Sequence, residues 1–92
     1  MAQVQQFHLR REPAAWPYAL LRARLAEARK AAGLTQQELA DRIGRPQSFI
    51  AKMEGGERSL DVVEFVAIAR IIGLDTNSLI EAVADELVKM EV

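Results

Sequence analysis

The apolar residues of this chain recur at helical spacing in five separate segments. In the first segment one stripe is formed by residues spaced four, three and four apart, namely Leu21, Leu25, Ala28 and Ala32. Only Phe7-His8-Leu9 hints at the alternation of a strand. The pattern therefore predicts an all-α fold of five helices, over about residues 17–32, 36–43, 46–54, 61–72 and 76–90.

Local end signals support these boundaries. Thr35 followed by Glu38 forms the capping-box pattern at the start of the second predicted helix. Asp61 is placed to cap the fourth helix. Glycines suited to a left-handed C-terminal position follow the first, second and fourth predicted helices, at Gly33, Gly44 and Gly73.

The segment before the first helix reads as an N-terminal arm over residues 1–16. Pro13 and Pro17 each disfavour helix in the residue before them. We expect Trp16 and Tyr18 to pack this arm onto the first helix. The predicted division of the chain is an arm (1–16), a central helical domain (17–75) and a C-terminal helix (76–92).

The connection between the second and third helices is only about three residues long and contains Gly44. A short glycine-containing turn between two short helices is typical of a helix-turn-helix, whose second helix presents its N-terminal residues to the major groove. On the predicted third helix, Phe49, Ile50 and Met53 point inward. The residues left on the outer face are Gln47, Ser48 and Lys52, whose side chains can hydrogen-bond base edges.

Charge is distributed unevenly, although the net charge is only −1. Up to Arg58 the chain has ten basic and six acidic residues, a balance of +4, whereas the remainder has two basic and seven acidic residues, a balance of −5. The first part of the chain can therefore face phosphates while the second faces solvent or protein.

Composition argues against several other classes of protein. The 92 residues suffice for one domain, and half of them are apolar. There is no cysteine, and His8 is the single histidine, so we expect neither a metal site nor a bound cofactor. No nucleophile–base pair or phosphate-binding glycine loop is present, so an enzyme is not expected. No secretory signal or membrane span is evident, which favours a cytoplasmic protein.

The last predicted helix has more apolar residues than the end of a small core requires. They fall in two adjacent rows. Closure of the helical bundle is one explanation, and burial by a second subunit is the other. We expect a homodimer, with an interface formed by Leu79, Ile80, Val83 and Leu87.

The stretch from Leu21 to Asp75 resembles the Cro/lambda-repressor-like, or Xre-type, helix-turn-helix family. The resemblance rests on the spaced pieces "ARKAAGLTQQELA", "IGRPQSFIAKME" and "IARIIGLD", which occur in the family's order. It implies that Gln36 bonds a phosphate and braces the recognition helix, about residues 46–54. It further implies an ion pair between Arg29 and Glu54.

The same resemblance implies the DNA contacts. The family's base-reading positions fall on Gln47, Ser48 and Lys52, and its phosphate-contacting positions fall on Gln36, Arg45 and Arg58. Two residues depart from the family pattern. Pro46 stands where serine or threonine often caps the recognition helix, and Ala51 stands at a position that is often polar.

The expected function is therefore that of a sequence-specific, double-stranded DNA-binding regulator, a bacterial or phage repressor acting as a homodimer. One alternative is the DNA-binding antitoxin of a toxin–antitoxin pair, in which the arm or the last helix holds a protein partner. Another is a protein-interaction module that keeps the scaffold and has lost DNA binding.

Overall fold

A computed structural model describes residues 4–7, 9 and 17–89 of the chain. The described residues form five helices and no strand. The helices are α1 (Tyr18–Ala31), α2 (Gln36–Ile43), α3 (Gln47–Glu54), α4 (Val62–Ile72) and α5 (Thr76–Lys89). The predicted all-α fold is confirmed. Each helix begins within two residues of its predicted start, and α1 to α4 also end within two residues of their predicted ends.

The starts of α2 and α4 are stabilised by capping boxes. Thr35 Oγ1 accepts the backbone N–H of Glu38, and a Glu38 carboxylate oxygen accepts the N–H of Thr35, at 3.0 and 2.9 Å. Asp61 and Glu64 make the same reciprocal pair at 2.7 and 3.0 Å. These bonds satisfy N–H groups that have no partner within the helix itself.

One core holds the five helices together. Its most deeply buried large side chains are Leu25, Leu39, Ile50, Met53 and Ile68. They come from α1 to α4, so each of these helices contributes to the same cluster. This packing fixes the orientation of α3, because Phe49, Ile50 and Met53 are all buried on one of its faces.

An apolar groove of about 330 Å³ runs along the outside of the bundle between α1, α4 and α5. Ile80, Val83 and Leu87 line it from α5, and Val62 lines it from α4. Leu79 forms part of its floor but is only 4% exposed and belongs to the core of the chain itself. Of the four residues expected in a dimer interface, Leu79 is therefore already buried within the monomer.

The arm expected over residues 1–16, with Trp16, lies mostly outside the described residues. Met90, the expected end of the last helix, also lies outside them. Among the described residues, no helix is both long and apolar enough to cross a membrane.

Candidate nucleic-acid interface

The turn between α2 and α3 consists of Gly44, Arg45 and Pro46. Gly44 adopts a left-handed conformation with φ 70° and ψ 34°, which a residue with a side chain rarely takes up. The Arg45 N–H donates to the Ala40 carbonyl oxygen at 3.0 Å and closes the end of α2. The chain can therefore reverse direction within three residues, giving the compact geometry of a helix-turn-helix.

Pro46 occupies the N-cap position of α3 in an extended conformation, with φ −66° and ψ 154°. It makes no side-chain cap bond, as its chemistry requires. Its carbonyl oxygen accepts the Phe49 N–H at 2.9 Å, so the first turn of α3 forms without a capping side chain. The proline removes a stabilising bond but does not shorten the helix start.

The outward face of α3 carries Ser48 and Lys52, both exposed, with Gln47 half-buried at its edge. Successive residues of a helix are separated by ~100° of rotation. Ser48 and Lys52 therefore point away from the buried face of Phe49, Ile50 and Met53. Within the part of the chain that the structure describes, the side chains of Ser48 and Lys52 make no hydrogen bond or ion pair.

A chain of hydrogen bonds leads from Gln47 into the core on the α2 side of this face. Gln47 Nε2 donates to Gln36 Oε1 at 2.7 Å, and Gln36 Nε2 donates to Glu54 Oε1 at 2.9 Å. Arg29 then donates to both Glu54 oxygens, from Nε at 2.8 Å and from Nη2 at 3.1 Å. The ion pair that the resemblance implies between Arg29 and Glu54 is thus present, and it is largely buried.

The carboxylate of Glu54 determines the direction of every bond in this polar chain. An ionised carboxylate only accepts, so Gln36 must turn its NH2 group toward Glu54 and its carbonyl oxygen toward Gln47. Gln47 must therefore donate to Gln36. This leaves Gln47 Oε1 and one Gln47 N–H free to face outward.

Arginines cluster on the opposite, α4 side of the same face. Arg45 and Arg58 lie over the Phe49 ring, with their Cζ atoms 5.2 and 4.4 Å from its centroid. Both approach Glu64 Oε2, from Arg45 Nη1 at 3.4 Å and from Arg58 Nη2 at 3.2 Å. We call these four residues the arginine cluster.

The structure thus brings the residues singled out from the sequence to one side of the molecule. Gln47, Ser48 and Lys52 lie on the outer face of α3. Gln36 lies at one edge of that face and the two arginines lie at the other. None of these residues lines the apolar groove.

Sequence reasoning missed Glu64. In the sequence, Glu64 belongs to the acidic second part of the chain, whereas in the structure it pairs with Arg45 and Arg58 of the basic first part. The available signal was the spacing of Asp61 and Glu64, which repeats the capping-box spacing of Thr35 and Glu38. That spacing predicts the cap but says nothing of the arginines.

Among residues 4–7, 9 and 17–89, no group of three or more acidic or histidine side chains is placed to hold a metal ion. The side chains that face outward in this arrangement are amide, hydroxyl and cationic groups around the exposed face of α3. Such groups recognise base edges and phosphates by hydrogen bonding and charge.

Comparison with known proteins agrees with this geometry. A family model described as a helix-turn-helix domain matches residues 20–83. An XRE-family like protein from Pseudomonas syringae pv. tomato str. DC3000 is 51% identical, with a TM-score of 0.69 over 74% of this chain and 83% of that one. A search of curated proteins gave no significant match.

Two further solved structures share the fold at lower identity. The wild-type restriction–modification controller protein C.Esp1396I is 18% identical, with a TM-score of 0.67 over 80% of this chain and 97% of that one. The clp gene regulator ClgR from C. glutamicum is 20% identical, with a TM-score of 0.64 over 89% and 96%.

The fold and the outward face of α3 define a helix-turn-helix protein. The chain belongs to the Xre-type family of helix-turn-helix proteins. It is a DNA-binding transcriptional regulator.

Proposed function

We propose that the protein is a sequence-specific repressor that binds double-stranded operator DNA in the cytoplasm as a homodimer. The observation that carries this proposal is the outward face of α3, where Gln47 is oriented by its bond to Gln36 while Ser48 and Lys52 remain unpartnered among the described residues. Repression follows from occupancy of the operator.

Base reading is assigned to Gln47, Ser48 and Lys52. The outward Oε1 and N–H of Gln47 match the N6 donor and N7 acceptor of adenine in the major groove. Ser48 can donate or accept at several base edges, and Lys52 suits guanine or a phosphate.

Phosphate contact is assigned to Gln36, Arg45 and Arg58. These side chains lie on either side of the reading helix, where the two phosphate backbones that border a major groove would run. Contacts of this kind orient the domain on the duplex without reading its sequence.

Dimerisation is assigned to the apolar groove. Ile80 is 55% exposed beside it, and Val83 and Leu87 complete an apolar stripe on α5. A two-fold dimer would bury this stripe on both subunits and present two reading helices to half-sites about 34 Å apart.

Selection of bound sequences from a random pool of duplex DNA tests the proposal, combined with measurement of solution mass by sedimentation. We expect a palindromic consensus, a dimeric mass, and affinity that falls steeply as salt rises. Failure to enrich any sequence, together with no salt-dependent binding to duplex DNA, would favour an interaction module that has lost DNA binding.

The apolar groove also supports a second candidate, a DNA-binding antitoxin whose α5 face holds a toxin. The two candidates differ in the partner on that face. A monomeric chain that co-purifies with the product of a neighbouring gene would favour the antitoxin, and a stable homodimer of the purified chain would favour the repressor.

A further inference from the structure

Two like charges share one small space in the arginine cluster. Arg45 comes from the turn before α3 and Arg58 from the loop after it, yet both guanidinium groups stack on Phe49. Cation–π attraction contributes modestly at such half-exposed positions. The two cations would repel each other without the counter-charge that Glu64 supplies to both.

Glu64 is itself held in place. Its Oε1 accepts the Asp61 N–H at 3.0 Å, and its own N–H donates to Asp61 Oδ1 at 2.7 Å. One carboxylate oxygen therefore belongs to the α4 cap and the other to the two arginines. The Glu64 side chain is only 10% exposed, whereas both arginines retain open outer edges.

Those outer edges keep hydrogen-bond donors for an anion. Arg58 uses Nη1 on the Ser59 carbonyl oxygen and Nη2 on Glu64, at 2.6 and 3.2 Å. A guanidinium group carries five N–H donors in a planar fork, so several remain available. The cluster lies at the edge of the reading face opposite the Gln36–Gln47 bond.

We infer that Glu64 is a positioning residue for DNA binding. Glu64 holds the guanidinium groups of Arg45 and Arg58 side by side, so that both can contact one phosphate. Its negative charge also reduces the net charge of the two arginines from +2 to +1. The geometry favours a phosphate in register with the reading helix, while the lower charge weakens attraction to DNA in general. This inference rests on the proposed DNA binding, and it makes Glu64 a determinant of specificity although it touches no base.

The test is Glu64→Gln, which removes the charge and keeps the shape. Glutamine is accepted at this position of a capping box, so the start of α4 should persist. Affinity is measured by fluorescence anisotropy on the selected operator and on a random duplex, each over a range of salt. We expect the variant to bind the random duplex about threefold more tightly and the operator about threefold more weakly. The specificity ratio, meaning operator affinity divided by random-duplex affinity, should therefore fall roughly tenfold.

Glu57→Gln is the matched control. Glu57 is exposed in the same loop, and within the described residues its side chain makes no ion pair with either arginine. Glu57→Gln changes the net charge by the same amount as Glu64→Gln but leaves the arginines paired with Glu64. The affinities for the operator and for the random duplex should therefore rise together, and the specificity ratio should stay unchanged. An unchanged ratio in Glu64→Gln, or one equal to that of Glu57→Gln, overturns the inference.

The wild-type and variant results together separate this inference from the proposed function, and two further measurements test the role of Glu64 directly. Wild-type protein that shows no salt-dependent DNA binding refutes the function, whereas wild-type binding with an unchanged variant ratio refutes only the role of Glu64. Without DNA, the guanidinium NMR signals of Arg45 and Arg58 should differ from those of a mobile arginine in the wild type and should move toward them in Glu64→Gln, because Glu64 faces Nη1 of Arg45 and Nη2 of Arg58. Glu64→Asp, which keeps the charge but shortens the reach, should lower the ratio without strengthening random binding.

Discussion

Gln47 differs from the other two proposed base readers because it is bound to the interior of the protein. Its amide reaches Gln36, and through Gln36 it reaches the buried pair of Glu54 and Arg29. Ser48 and Lys52 have no such connection among the described residues. The orientation of Gln47 is therefore set before DNA arrives, which lowers the entropic cost of binding.

Replacement of Gln47 by alanine should weaken operator binding by about 1–3 kcal/mol and relax the preference at one base pair. The reason is the loss of a paired contact to one base edge. Titration of the variant against the operator and its single-base variants measures both effects. Gln37→Ala is the control, because exposed Gln37 bonds only Asp41 among the described residues. Equal weakening on random DNA would contradict a base-reading role.

Replacement of Arg29 by methionine should destabilise the fold by about 3–5 kcal/mol, because it leaves the Glu54 carboxylate buried without its cation. Urea unfolding followed by circular dichroism measures the change. The double variant Arg29→Met, Glu54→Leu should recover much of the loss, since no uncompensated charge remains. If the double variant is as unstable as the single one, charge burial is not the cause.

At the scale of a helix, α2 depends on a cap that is sensitive to acid. Bonds from the Thr35 N–H and hydroxyl group, with the nearby charge of Arg42, lower the pKa of Glu38 below its usual range. A carboxylate with a lowered pKa in the folded state contributes stability above its unfolded pKa and loses it as the pH falls through the folded value. The contribution of Glu38 should therefore decline as the pH falls below 4.5, the ordinary pKa of a glutamate, and through the lower folded pKa.

Glu38→Gln should flatten this dependence, because glutamine can retain the cap bond without titrating. Urea unfolding midpoints measured between pH 5 and 3 should fall less steeply in the variant than in the wild type. The control is Glu81→Gln, at an exposed glutamate whose side chain makes no hydrogen bond among the described residues. Equal slopes in the wild type and Glu38→Gln would show that the cap does not contribute to acid sensitivity.

The helices were predictable because their ends are encoded locally. Thr35 with Glu38, Gly44 with its left-handed turn, and Asp61 act within a few residues, so spacing alone predicts them. The inward face of α3 follows from the same reasoning, because Phe49, Ile50 and Met53 recur at helical spacing. The ion pair of Arg29 and Glu54 followed from the family resemblance.

The arginine cluster was not predictable because it depends on the path of a loop. The Arg58 N–H donates back to the Lys52 carbonyl oxygen at 3.2 Å, and this fold-back brings its side chain over Phe49. No periodicity in the sequence encodes that return. The different burial of Leu79 and Ile80 also depends on tertiary packing. Helical spacing predicts both in the dimer interface, whereas in the structure Leu79 is buried in the core and Ile80 is exposed.

At the scale of the whole molecule, the proposed reading and dimerisation surfaces belong to different helices. The reading face is formed by α3 with its neighbours in α2 and the adjoining loops. The apolar groove is lined by α1, α4, α5 and the loop before α4. A change on the α5 side of the groove can therefore be made without altering the reading face.

Ile80→Glu should convert the proposed dimer to a monomer, because it buries a charge in an apolar interface. Sedimentation equilibrium measures the mass, and operator affinity should fall by at least an order of magnitude as the second half-site contact is lost. Val63→Glu is the matched control, since Val63 is 78% exposed on α4 and does not line the groove. A dimer that survives Ile80→Glu but not Val63→Glu would place the interface elsewhere.

The hydrogen-bond chain behind Gln47 has a consequence for how the binding preference of this regulator can evolve. The side chains of Ser48 and Lys52 make no hydrogen bond or ion pair among the described residues, so substitutions there change recognition at little cost to folding. Gln47 is joined through Gln36 to a buried ion pair, and a new residue at position 47 disturbs partners that the fold needs. We expect related regulators to diverge first in the bases read by positions 48 and 52, and to share the base read by position 47.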